Sequence, residues 1–488
     1  MGQAIDRETF TDEEFARFSA RLQESLQALG QLLARPGFGV GPRTVGAELE
    51  LHLVDPRMRP LRRNRTVLER MHDPRMVAEV DAFNIECNTA PGPLAGRPFA
   101  ALATELRTAL DEARRGAADA GGRIAMIGTL PTLLQSDLGP AALTALPRYR
   151  ALARSLRARR NAPFHLHIDG IESLVVEEDD VTPLGASTSF QLHLRVDPRD
   201  FGRAWNAAEM ATGPVLALCG NAPIFLGRKL WQETRIALFC QSTDDRTQEE
   251  QGRPPRVNFG AGWATRGAGE LFERSVALHP PVLPVCSAES PLAVVEAGDV
   301  PHLDELRLHH GTVWTWNRAV YDAADGGHLR VEFRALPAGP TVVDMLANAA
   351  FALGLTLALE PQMDAWAAEV PFAWARSNFF AAARHGLDAT FHWPGRDPVA
   401  APALIAELLP RARAALVEAG VEPAEVKPLF DVLAARLHTG QTGARWQLAT
   451  LAEREHLGDE REVALAEMLA RYVERSETDA PVHTWPVG

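Results

Sequence analysis

Strictly alternating apolar and polar positions recur at widely separated points of the chain. In Val45–Leu53, Glu48, Glu50 and His52 fall on one side and Ala47, Leu49, Leu51 and Leu53 on the other. Asp81–Thr89 groups Asn84, Glu86 and Asn88, Thr188–Val196 groups Gln191, His193 and Arg195, and Leu329–Ala335 groups Arg330, Glu332 and Arg334. A period of two belongs to a strand, whose successive side chains point to opposite faces. Four strands are therefore predicted, each apolar on one face and polar on the other. Phe164–Asp169 alternates too, carrying His165 and His167, which read as one more sheet face rather than as catalytic groups. Arg123–Gly128 reads as a short strand.

Helical spacing fills much of the remainder. Thr11–Leu33 opens with Thr11 and Glu14 as a capping box, and Phe99–Ala120 ends at Gly121-Gly122. A stretch from about Ala141 to Arg160, interrupted by Pro147, carries a basic run from Arg148 that reads as a solvated face. Phe201–Cys219, Arg228–Cys240 and Thr341–Leu359 follow. From Glu360 the chain reads as almost wholly helical: Phe372–His385 stopped by Gly386, Ala400–Gly420, Glu422–Leu437 and Trp446–Arg475, before an extended end at Pro481–Pro486. Strands interspersed with helices predict an α+β fold whose sheet turns a polar concave side to a site, with helices packed behind and a helical C-terminal part. The boundaries read as an N-terminal helix over 1–38, a catalytic domain over 39–360 and helices over 361–488. The glycine-rich segment Phe259–Gly269 is open to two readings, a loop that closes over a ligand or a plain surface connection.

Composition narrows the function. Fifty basic against 63 acidic residues leave a net charge of −13, which argues against general binding of nucleic acid or of anionic membranes. Cys87, Cys219, Cys240 and Cys286 form no CxxC pair and suit a reducing cytosol; Cys87 falls on the apolar side of its strand and reads as core. Met1–Phe18 shows neither the basic nor the apolar region of a signal peptide, and no apolar run approaches the ~20 residues of a membrane span. A cytoplasmic protein acting on small molecules is expected, of an oligomeric state that the sequence leaves open.

The polar faces carry the chemistry. Neighbouring carboxylates repel unless something positive lies between them: two unit charges ~4 Å apart interact by about 4 kcal/mol at an effective dielectric of about 20. If the four strands share one sheet, Glu48, Glu50, Glu86 and Glu332 face one cleft with His193 and Arg334. Carboxylates with few thiols select Mg2+ or Mn2+ over zinc. Mg2+ commonly shares its remaining positions with substrate phosphates, so a nucleotide is expected, and an arginine beside Glu332 suits a phosphoryl group in transit. No Walker A sequence occurs.

Val45–Glu50 (VGAELE), Ile85–Pro91 (IECNTAP), Phe190–Leu194 (FQLHL), Asn221–Arg228 (NAPIFLGR), Val331–Arg334 (VEFR), His309–Arg318 and Ala382–Leu387 (AARHGL) follow one another in an order that resembles the glutamate–cysteine ligase and carboxylate–amine ligase family. The resemblance spans about residues 40 to 390. It implies a glutamine-synthetase-like, mostly antiparallel catalytic sheet and an ATP-dependent ligase. In such enzymes ATP phosphorylates a carboxylate, typically the γ-carboxylate of glutamate, and an amine, cysteine or another, attacks the acyl phosphate with release of ADP and phosphate. Glu48, Glu50, Glu86 and Glu332 would hold Mg2+, with His193 near metal or nucleotide and Gln191 near ATP or substrate. Arg334 would stabilise the transferred phosphoryl group, and Glu50 joins it as a catalytic candidate. Arg235 and Arg318 are candidates for a substrate carboxylate or phosphate, and Asn378 and Arg384 for nucleotide, while Gly386 is explained as a helix C-cap. The base that takes the amine proton is not legible. Two other classes remain: a guanidino phosphotransferase on a related sheet, and a non-catalytic sensor of nucleotide or amino acid.

Overall fold

Eight strands pair into one sheet in the computed structural model, which describes residues 5–487. They are β1 Thr44–Val54, β2 Met76–Ala78, β3 Asn84–Asn88, β4 Gly92–Pro93, β5 Arg123–Ala125, β6 Phe190–Val196, β7 Asn317–Asp322 and β8 His328–Phe333. Their order is β7-β8-β6-β1-β3-β2, with β4 and β5 against the two ends of β1, and every pairing is antiparallel. The first few residues of the polar segment Met1–Phe18 lie outside the described residues.

Alternation decides which way each strand faces. Ala47, Leu49, Leu51 and Leu53 of β1, Ile85 and Cys87 of β3, Leu192 and Leu194 of β6, and Leu329, Val331 and Phe333 of β8 are all buried. Each large apolar side chain so buried contributes about 1.5–3 kcal/mol, and a one-residue slip would turn the whole set outward. Three helices cover that side: α2 Pro98–Asp119 packs on β1, α4 Phe201–Cys219 on β7 and β8, and α6 Val342–Leu359 on β6. At the chain start, α1 Asp12–Ala34 is capped by Thr11, whose hydroxyl accepts from Glu14 N–H while the Glu14 carboxylate accepts from Thr11 N–H.

The helices after Glu360 are fastened to the part that carries the sheet. Helix α7 Phe372–His385 packs on α4, helices α8 Ala401–Glu418 and α9 Pro423–Thr439 pack on α6, and buried Arg436 of α9 donates to Asp344 and Asn348 of α6. Gln447 of α10 Gly443–His456 and Tyr472 of α11 Arg461–Glu477 both hydrogen-bond Asn221.

Several elements differ from the sequence reading. Phe164–Asp169 lies outside the central sheet and pairs with Ser173–Glu178. Arg228 to Cys240 is not one helix: Ile224–Phe225 and Arg228–Lys229 form a two-residue hairpin turned at Leu226 and Gly227, both at positive φ (47° and 69°), as the twist of a tight hairpin requires. Helix α5 begins only at Thr234 and runs to Ser242. The stretch from Ala141 becomes helical at Pro147, where a missing N–H costs nothing in the first turn, giving α3 Pro147–Arg160. Gly458, at φ 96°, separates α10 from α11 where one helix was expected, and the chain end winds a short 3-10 turn at Val482–Thr484. The helix Val342–Glu369 is long and apolar enough to cross a membrane by length and composition, contrary to expectation, but 83% of its most apolar stretch is buried inside the protein.

Candidate active site

The polar side of the sheet floors a cavity of about 660 Å³, within the range of small-molecule sites. Nine of the residues singled out for metal, nucleotide, substrate or catalysis line it: Glu48, Glu50, Glu86, Gln191, His193, Arg235, Arg318, Glu332 and Arg334. Register explains their convergence. Glu48 sits opposite Gln191, Glu50 opposite Glu86, and Glu332 lies between His193 and Arg318. Five neighbouring strands thus bring their polar side chains to one surface.

Two acidic groups result. In the first, one ligand atom each from Glu48, His193 and Glu332 lie within 4.8 Å of one another. The Glu332 carboxylate accepts two hydrogen bonds from Arg318, at 2.6 and 2.9 Å, and one from Arg334 at 3.0 Å. Burial opposes its charge, yet Arg318, Arg334 and His193 together hold the carboxyl well below its usual range. Burial likewise opposes the charge of Glu48, and His193 outweighs it, leaving that carboxyl lowered. The His193 ring lies between two partners: Arg330 Nε donates to Nδ1 at 3.1 Å, which leaves Nε2–H to donate to Glu48 at 3.0 Å. In this arrangement His193 holds Glu48 in place; it offers Nε2 as a metal ligand only once Arg330 releases Nδ1.

The second group is Glu50, Glu86 and Glu79. Glu50 accepts from Ser189 N–H at 2.7 Å and from the Gln191 amide at 2.9 Å. Burial, and then the neighbouring Glu86, push its carboxyl up to about 7. Burial followed by Glu48 and Glu79 raises Glu86 further, and burial raises Glu79. Burial and mutual repulsion of these carboxylates favour a proton or a cation between them. Carboxylate oxygens suit a hard divalent ion such as Mg2+ or Mn2+, and among the described residues it is the first group that brings three ligand atoms within 4.8 Å of one another.

Arginines close the ring. Arg334 donates to Gln191 Oε1 at 2.5 Å and links the two acidic groups through that amide. Arg235 is buried and held by Glu233 and by the carbonyls of Ala335 and Arg334. Its partner Glu233 accepts from Asn221 N–H, the residue gripped by Gln447 and Tyr472.

Other expectations are not brought to the cavity. His52 shares the parity of Glu48 and Glu50 but is fully buried beyond the floor, stacked on Phe83 and bonded to Asn84, and burial pushes its imidazole down to about 4. His165 and His167 are exposed on the hairpin, beside Glu177 and Asp169. Asn378 bonds the backbone of His392, and Arg384 lies over Trp231. The glycine-rich segment is not over the cavity: Trp263 donates to the Val370 carbonyl, and Asn206 holds both the N–H and the carbonyl of Ala264. Burial raises the Cys87 thiol to about 12, so it is inert core. Conversely, Glu79, Arg148, Tyr149 and Ser189 line the site without having been singled out. Glu79 lies just past a three-residue strand, seven positions before Glu86, and no periodicity marks it.

Residues 44–262 match the family model for glutamate–cysteine ligase family 2 (GCS2). No curated protein sequence matches. Among solved structures, the glutamate–cysteine ligase of Francisella tularensis in complex with AMP superposes with a TM-score of 0.50 at 10% identity, over 92% of this chain and 96% of that one; at that identity the likeness speaks for the fold. A bifunctional glutathione synthetase from Pasteurella multocida gives 0.48 at 12% identity, over 93% of this chain and 55% of that one. Over residues 44–262, somewhat under half of its length, the chain is thus similar to glutamate–cysteine ligase family 2.

Proposed function

We propose that the protein is an ATP- and Mg2+-dependent carboxylate–amine ligase. It activates a carboxylate, the γ-carboxylate of glutamate, as an acyl phosphate and joins it to an amine, cysteine or another, releasing ADP and phosphate. The supporting observation is the meeting of Glu48, Glu50, Glu86, His193, Glu332 and Arg334 in one cavity, on an antiparallel sheet whose strands β1 to β6 fall within the segment that matches the family. On this reading the sheet is glutamine-synthetase-like, and residues 39–360 form the catalytic domain, buttressed by 1–38 and 361–488.

A carboxylate resists attack by an amine until one oxygen becomes a good leaving group, and making it one requires two anions to meet. Glu48 and Glu332, with His193 once Arg330 withdraws, would hold one divalent ion, and Glu50, Glu86 and Glu79 a second. Ions bound there supply positive charge against the phosphates and substrate. Arg334 and Arg318 bear on the phosphoryl group in transit, their guanidinium groups fixed beforehand by Glu332 and Gln191. Gln191 orients Glu50 and Arg334 together, and Arg235, locked by Glu233, receives a substrate carboxylate or phosphate.

The test is an ADP-release screen of glutamate with each proteinogenic amino acid and common amines, with and without Mg2+, followed by mass analysis. An amide product that forms only with metal is expected. A stable phosphorylated guanidino product, or ADP release with no amine at all, would overturn the proposal.

A further inference from the structure

The segments Asn221–Arg228 and Ala382–Leu387 put no side chain on the cavity, yet both bear on Arg235, which lines it. Arg235 stands in the first turn of α5. Its Nη1 donates to Glu233 Oε1 and to the Ala335 carbonyl, both at 3.1 Å, and its Nη2 to the Arg334 carbonyl at 3.4 Å. Its Nε has no partner among the described residues. Glu233 therefore aims the guanidinium, and two other parts of the chain aim Glu233. The second carboxylate oxygen accepts from Asn221 N–H at 2.9 Å. The Glu233 N–H donates to the Ala383 carbonyl of α7 at 2.8 Å.

Asn221 is held in turn by the last two long helices. Gln447 of α10 donates through Nε2 to the Asn221 carbonyl at 3.1 Å and to its Oδ1 at 2.9 Å. Asn221 Nδ2 donates to the Tyr472 hydroxyl of α11 at 2.7 Å, and that hydroxyl donates onward to the Met126 carbonyl at 2.7 Å. Helix α10 comes this close because it opens with Gly443, where a Cβ would lie 2.1 Å from Asn221 Oδ1. Asn221, Glu233, Arg235, Gln447 and Tyr472 are all buried, so these bonds are not exchanged for water. An unbroken chain of hydrogen bonds thus runs from α10 and α11 to the Arg235 guanidinium and on to the main chain of Arg334. Fastening a helix needs no such chain: Ser476 of α11 donates to the Pro340 carbonyl at 2.6 Å and leads nowhere near Arg235. An arginine has many rotamers, and its readiness for an anion depends on being held in one beforehand.

We infer that Gln447 and Tyr472 are positioning residues for Arg235: through Asn221 and Glu233 they hold its guanidinium ready for an anionic group of the substrates. The C-terminal helices then belong to the working site and do more than buttress it. The inference rests on the ligase reading for its substrates, but its test needs no turnover. Calorimetry measures the binding of two probes, glutamate and Mg2+ with a non-hydrolysable ATP analogue. The proteins compared are the wild type, Arg235→Ala, Gln447→Met, Tyr472→Phe, the two double variants that add Arg235→Ala, and Ser476→Ala, which loses a buried hydrogen bond of α11 outside the chain. Arg235→Ala weakens at least one probe by roughly 10- to 100-fold. Gln447→Met and Tyr472→Phe weaken that same probe by about 3- to 10-fold, and Ser476→Ala by less than about 1.5-fold. Added to Arg235→Ala, neither Gln447→Met nor Tyr472→Phe changes binding by more than about 1.5-fold, because the group through which they act is gone.

Wild-type binding of both probes by Arg235→Ala, or by both Gln447→Met and Tyr472→Phe, overturns the inference. So do losses that add in full to that of Arg235→Ala, and an equal loss in Ser476→Ala, the mark of a purely structural role. If no amine supports ADP release but the binding losses fail to add, the positioning chain stands and the ligase reading falls. If an amide product forms while the losses add in full, the reverse holds. Should Gln447→Met show no thermal transition, Tyr472→Phe, which removes a single hydroxyl, carries the comparison.

Discussion

Replacing Glu50 by Gln should make the metal-free protein more stable while disabling it. Glu50 accepts from Ser189 N–H at Oε2 and from Gln191 at Oε1, so a Gln removes the charge, keeps one acceptor and turns its NH2 towards the other donor. Burial and Glu86 hold its carboxyl at about 7 against a usual 4.5. A carboxyl raised in the folded state contributes stability that is fully present below 4.5 and lost as pH rises through about 7. At 1.36 kcal/mol per pKa unit, the metal-free wild type gives up about 3 kcal/mol from this group by pH 8. Glu50→Gln, fixed in the neutral form, does not. With an unfolding entropy of ~2.1 cal/mol/K per residue over 488 residues, that difference, less about 1 kcal/mol for the lost hydrogen bond, raises Tm by about 2 °C at pH 8. At pH 5 most of the wild-type carboxyl is protonated, and the gain shrinks to under about 1 °C. Differential scanning calorimetry in EDTA at the two pH values measures both, and added Mg2+ should raise the wild-type Tm more than that of the variant. A lower Tm for Glu50→Gln at pH 8, or a gain equal at both pH values, would refute the picture of a carboxylate strained by its surroundings.

Arg334→Ala should cut turnover by roughly 10²- to 10³-fold with the thermal transition retained, because it removes a fixed donor from the transferring phosphoryl group; a loss under tenfold would take Arg334 out of the reaction. Chelation of divalent ions should abolish ADP release, and Mn2+ should restore it in place of Mg2+. Tyr472→Phe removes the hydroxyl shared by Asn221 and the Met126 carbonyl and should cost about 1–3 kcal/mol by leaving buried polar groups unpaired, measured by urea unfolding. Cys87 and Cys219, both buried with thiols raised to about 12, should resist thiol reagents until the protein unfolds, whereas modification at native rates typical of exposed thiols would contradict their burial.

Much of the sheet was legible because a half-buried strand writes its two faces into the sequence. β1, β3, β6 and β8 were each visible as alternation, and their polar residues meet in one cavity. Parity alone does not say where along a strand the cavity ends: His52 has the parity of Glu48 and Glu50 yet lies under Phe83. Nor does it say which strands share a sheet, and Phe164–Asp169 alternates as well as the others while pairing only with its own hairpin partner. Glu79 and Arg148 were invisible for a different reason. One follows a strand of three residues and the other opens a helix, so each reaches the site through long-range docking that leaves no local period. The basic run looked solvated because its partners, Glu8, Asp179, Asp244, Asp245 and Glu250, lie on other elements.

The central claim is that carboxylates from separate strands hold a divalent ion beneath a nucleotide. Electron paramagnetic resonance of Mn2+ titrated into the protein with a non-hydrolysable ATP analogue tests it directly. Wild type should capture the ion, quenching the free Mn2+ signal, and Glu332→Gln and Glu48→Gln should each weaken capture by at least about tenfold. Equal capture by the wild type and both variants would contradict the account.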